Sequence, residues 1–112
     1  MKIKISKDFH STPIERTIEK FYSSAKKFRE GILIPKYNES VMTNQKLEID
    51  FDGSYGYSNC WLDEVFGGLV KYLNKVGCID NIIIKSKQDP TIKSDILRII
   101  EESERELLKE MY

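Results

Sequence analysis

The chain has 112 residues, and 18 Lys+Arg stand against 18 Asp+Glu, so its formal net charge is zero. With 32% charged and 40% hydrophobic residues, it reads as one soluble domain over residues 1–112 with a single modest core. Balanced charge argues against a nucleic-acid binder working through a whole-molecule basic field. One histidine (His10) and two cysteines (Cys60 and Cys78) exclude the common four-ligand zinc frameworks, so neither a metal nor a cofactor is expected.

Taken in chain order, residues 2–6 (Lys-Ile-Lys-Ile-Ser) alternate with period two and predict a strand with one buried face. After a break at Asp8 to Thr12, Thr12-Pro13-Ile14-Glu15 reads as a capping box. Ile14, Ile18, Phe21, Tyr22, Ala25, Phe28 and Ile32 then recur at the spacing of an amphipathic helix, which Ser23-Ser24 interrupts or re-caps. Pro35 predicts a kink or a stop. Residues 36–45 read as a last helical turn and a polar loop. Lys46 to Phe51 alternates as a strand with Leu47, Ile49 and Phe51 inward, and Asp52 to Asn59 is a turn-rich loop.

A helix is predicted from about Cys60 to Asn74, with Leu62, Val65, Phe66, Leu69, Val70 and Leu73 on its buried stripe and Gly77 as its stop. Ile82-Ile83-Ile84 reads as a strand covered on both faces. Asp89-Pro90-Thr91 opens a last helix to about Met111, with Ile92, Ile96, Ile99, Ile100, Ser103 and Leu107 inward. Leu97 and Leu108 lie off that stripe, either as lone surface leucines or as a docking or homodimer face. The order β-α-β-α-β-α is that of an α/β domain whose sheet is wrapped by helices. Ligands of such sheets gather where strand ends meet helix starts, which here is the junction Asp50 to Glu64. Locally, residues 1–36 hold nine Lys/Arg against four Asp/Glu, residues 37–88 five against seven, and residues 89–112 four against seven. The front is basic and the back acidic, either as solvated faces or as a dipole that orients a partner.

The stretch Gly56-Tyr57-Ser58-Asn59-Cys60-Trp61-Leu62-Asp63-Glu64-Val65-Phe66-Gly67-Gly68-Leu69-Val70 resembles the signature of a bacterial STAS-like family of unknown function. Phe28-Arg29 with Leu33 and Pro35, and Pro13 with Arg16, resemble two upstream elements of the same family, so the resemblance spans roughly residues 2 to 86. It implies a small STAS-like α/β domain with a central mixed sheet and helices packed on it. It also implies a regulatory, anti-sigma-factor-antagonist-like module whose partner is a kinase-like ATPase. In the wider superfamily a Ser or Thr at this loop is phosphorylated by that partner, and the added charge breaks the complex. Cys60-Trp61 stands where the family has Ser-Phe, which leaves Ser58, two residues upstream, as the candidate phosphorylation site or simply as a helix cap.

The expected partner surface is Tyr55, Tyr57, Ser58, Asn59, Cys60, Trp61, Asp63 and Glu64, since Tyr and Trp dominate binding hot spots. The same aromatics read equally well as a rim that closes the core. Cys60 reads as a small, partly buried core residue, because its activation as a nucleophile needs a base and His10 has no motif around it. Asp50, Asp52, Asp63 and Glu64 suit loop solvation and capping better than a calcium loop. Gly67-Gly68 costs about 1 kcal/mol per residue inside a helix, which close packing of that helix on the sheet would offset. No catalytic set emerges, so a non-enzymatic binding module is expected. A phage or mobile-element inhibitor that binds a host defence complex is the alternative. No apolar run is long enough to span a membrane and no signal peptide is visible, so a cytoplasmic setting with reduced thiols is expected.

Overall fold

The computed structural model describes residues 1–9, 24–53 and 58–111. Strand β1 is Lys2–Lys4, and the chain turns at once into α1, a single helical turn at Ile5–Asp8. The strand expected to reach residue 6 stops early because the Lys4 N–H donates to Asp8 Oδ2 at 2.8 Å and the Phe9 N–H to the Ile5 carbonyl at 2.9 Å. The Thr12 capping box and the Pro13 and Arg16 resemblance lie outside the described residues, as does His10.

Helix α2 covers 24–42 and changes winding twice: α-helical over 24–28, π-helical at Arg29–Leu33, α-helical again at Ile34–Met42. Pro35 therefore neither stops nor breaks the helix. The Ile34 N–H reaches back to the Arg29 carbonyl in the wide π pattern, and the next residue is the proline, which has no N–H to donate. The change of winding thus falls at the one residue that leaves no donor unpaired. Residues 36–42 are helix, not loop. The end comes at Thr43-Asn44, where Asn44 adopts left-handed φ 55°. Gln45 N–H donates to the Ser40 carbonyl and Asn44 N–H to the Val41 carbonyl, the paired bonds of a Schellman stop.

Strand β2 is Leu47–Asp50, and the expected inward trio holds, since Leu47, Ile49 and Phe51 are all buried. Helix α3 spans 59–73 with a second π segment at Asp63–Gly67. It ends at Asn74 as predicted, and Asn74 itself, in the left-handed region at φ 54°, is the stop in place of Gly77. Gly77, at φ 95°, opens a 3₁₀ turn at Cys78–Asn81 that leads into β3, Ile82–Lys85. Helix α4 is Thr91–Met111, and Ile92, Ile96, Ile99, Ile100 and Leu107 are buried as its pattern predicts.

The three strands form one sheet in the order β1-β2-β3, and both pairings are parallel. The sheet is parallel where a mixed one was expected, because both connections between successive strands, β1 to β2 and β2 to β3, pass through a helix. Register places Ile3, Ile49 and Ile84 side by side in one row. Strand side chains alternate between faces, so the neighbouring rows Lys2-Glu48-Ile83 and Lys4-Asp50-Lys85 lie on the opposite face. That face is polar and partly open. Ile83 is 47% exposed, so β3 is covered on one face and not on two. The apolar face joins α2, α3 and α4 in one core, with α4 lying along α3.

Candidate functional site

The polypeptide leaves β2 through Asp50 and enters α3 at Ser58. Ser58 is extended (φ −84°, ψ 154°), and its Oγ accepts the Trp61 N–H at 3.1 Å. It is the N-cap that its residue type favours. Ser58, Asn59 and Cys60 are exposed, Trp61 and Leu62 are buried, Asp63 is exposed and Glu64 is half-buried. Tyr55 and Tyr57 lie outside the described residues.

Two expectations are corrected here. Trp61 is not part of an exposed aromatic patch, for it is fully buried. Its indole stacks tilted against Phe28 at 5.4 Å, and its Nε1–H donates to Ser24 Oγ at 3.4 Å. The reason is helical phase, since Trp61 sits four residues before Val65 and eight before Leu69 on the same inward stripe. Cys60, one position earlier, points the other way and is an exposed free thiol rather than a core residue. Cys78 is the buried thiol; burial, with the Glu104 charge adding to it, pushes it up to about 11 from 9.0.

A single side chain links the two π segments. Arg29, first residue of one, donates Nη1–H bonds to the Glu64 backbone carbonyl and to Glu64 Oε1, the latter at 3.1 Å, in the other. This tie explains the helical glycines. A Cβ on Gly68 would lie 2.2 Å from Arg29 Nη1, and a Cβ on Gly67 would lie 3.1 Å from Ser103 Oγ of α4. The glycines make room for a guanidinium and a neighbouring helix, not for the sheet. The pairing of Arg29 with Glu64 was missed by the spacing argument. Its only trace was the resemblance at Phe28-Arg29. Above the tie lies a cavity of about 810 Å³ walled by α2, α3 and α4. A smaller one of about 300 Å³ sits beside it, lined by Asn59, Cys60, Asp63, Glu64, Arg98 and Ile99.

At the strand ends, Asp50 is only 1% exposed and faces three lysines: Lys4 Nζ at 3.3 Å, and Lys2 and Lys85 Nζ each at 3.7 Å. Burial alone would raise its carboxyl. The Asp52 N–H at Oδ1, the Lys4 bond and charge, and the Lys85 charge outweigh that and hold it below the ordinary carboxylate value. Asp52 accepts the Lys87 and Gln88 N–H groups at 2.8 and 3.0 Å, and Gln88 Oε1 accepts the Gly53 N–H. These two carboxylates thus tie the loop after β2 to β1 and to the loop after β3. Asp63 and Glu64 stand apart from them on α3, where Glu64 is held by Arg29.

The family model described as a STAS-like domain of unknown function matches residues 24–91. No curated protein and no solved structure matches this chain at a significant level. The matched span contains the Ser58 cap, the Arg29–Glu64 tie and both helical glycines. Among the described residues no helix is long and apolar enough to cross a membrane.

Proposed function

The chain belongs to the STAS-like domain family of unknown function, and from that premise we propose that it is a non-enzymatic regulatory module that binds a partner protein through the start of α3. The partner is of the kinase-like ATPase or anti-sigma kind. The observation that carries the reading is the division of this helix. Asn59, Cys60 and Asp63 present side chains outward from a turn whose inward residues, Trp61, Leu62, Val65 and Phe66, are fully buried. A contact surface on a rigid base loses little conformational entropy on binding. An exposed Cys60, where the resembling family has Ser and where the wider STAS superfamily carries its phosphorylated loop, suits a complex whose dissociation does not depend on a phosphate at that position.

The test is affinity purification of the full chain from its native host, beside Cys60→Arg, with circular dichroism to show that the variant is folded. A kinase-like ATPase or anti-sigma protein retained by the wild type and lost from Cys60→Arg supports the reading. Recovery of the same proteins by both overturns it.

A further inference from the structure

We propose that the cavity between α2, α3 and α4 docks an Arg- or Lys-rich segment of that partner, an inference that rests on the reading above. The cavity holds about 810 Å³, and its walls carry five carboxylates: Glu30, Asp63, Glu64, Glu102 and Glu106. Within the lining only Arg29 and Lys71 oppose them, a net charge of −3 (two minus five) in a chain whose total is zero, and Arg98 just outside pairs with Glu102 at 3.7 Å, so the acidic excess rests on Glu30, Asp63 and Glu106. Arg29 is 14% exposed and already bonded to Glu64, so its charge is turned to the wall. Glu30 and Glu106 are exposed. Tyr72, 58% exposed at the margin, offers an aromatic face on which a guanidinium can stack.

Two features make this more than a patch of acid. The cavity is bounded by three helices, so carboxylates from α2, α3 and α4 line one concave surface. It shares Asp63 and Glu64 with the smaller cavity beside Cys60, so it continues the surface already assigned to the partner.

The experiment is fluorescence anisotropy with a labelled Arg-Ala repeat peptide and its Gln-Ala counterpart, at about 0.15 M salt so that distant charges are screened. The Arg peptide binds the full chain and the Gln peptide does not. Glu30→Lys with Glu106→Lys weakens binding about tenfold. Glu39→Lys with Glu110→Lys, the same charge change on exposed acids outside the cavity, alters it less than about twofold. Equal losses in the two double variants, or no binding of the Arg peptide, overturn the inference. The host purification separates the two levels. Partner lost with Cys60→Arg but kept by Glu30→Lys with Glu106→Lys overturns the cavity alone. Partner kept by both overturns the binding surface itself.

Discussion

Replacing Gly68 by alanine tests the Arg29–Glu64 tie, because two opposing effects meet at one atom. Inside a helix alanine is favoured over glycine by about 1 kcal/mol. Here the new Cβ would lie 2.2 Å from Arg29 Nη1, 2.7 Å from Cζ and 2.9 Å from Cδ, all too close, so the guanidinium must leave. It then gives up its bonds to the Glu64 carbonyl and carboxylate. A hydrogen bond involving a charged group contributes about 1.5–3 kcal/mol, and the two here share one Nη1 donor on a partly covered pair, so together they are counted as one. The loss exceeds the gain, so Gly68→Ala should destabilise the domain by about 0.5–2 kcal/mol. In an Arg29→Ala background the obstacle is gone, and the same change should stabilise by about 0.5–1 kcal/mol. Urea unfolding of the four proteins completes the double-mutant cycle. A reversal of sign between the backgrounds is the expected result. The same effect of Gly68→Ala with and without Arg29 would refute the reasoning.

Trp61→Ala should cost about 3–5 kcal/mol, as for other buried aromatics; a loss below about 1 kcal/mol in urea unfolding would contradict the burial described. Asp50 has a depressed folded pKa, so its contribution is present above the ordinary carboxylate value near 4 and is lost as pH falls through the lower folded value. Stability measured from pH 7 down to about pH 2 should fall less steeply in Asp50→Asn than in the wild type, and parallel curves would count against the lysine cluster. Cys60 should react with a thiol reagent in the folded protein at about pH 8, and Cys78 only after denaturation. For Cys78 the sign is opposite to that of Asp50. Between its ordinary value of 9.0 and about 11 the unfolded chain releases a proton that the folded chain keeps, so stability falls as pH rises, and Cys78→Ala should flatten that slope.

Short-range periodicity carried most of the architecture. The alternation at Leu47, Ile49 and Phe51 and the stripe of α4 follow from one buried face each, and both are found. Periodicity did not reveal the π segments, because one extra residue in a turn shifts the stripe by less than the tolerance of the pattern. The usual effect of a proline presumes a regular α-helix ahead of it, and the π turn ahead of Pro35 removes that condition. Residue type alone leaves Trp61 as either a binding anchor or part of a rim that closes the core, and its spacing from Val65 and Leu69 places it inward. The Arg29–Glu64 tie joins residues 35 positions apart, and no local pattern encodes such a pairing. Ile83 shows the limit of composition: three isoleucines in a row suggested two covered faces, but one face of this strand carries charges on its neighbours.

The parallel sheet also governs the order in which this chain can fold. β1 is made first, yet its partner is β2, and Lys4 meets Asp50 across 46 positions. Until residue 50 is available, Ile3 and Ile5 have no buried place and the first strand has no ladder. The central strand is then completed only when β3 arrives, after a second helical crossover. Closing such loops precedes any gain from the pairing, which makes sheet formation here a late, non-local step and leaves the helices to form early. Among the described strands, β1 is therefore the one that waits longest for its native partner during synthesis.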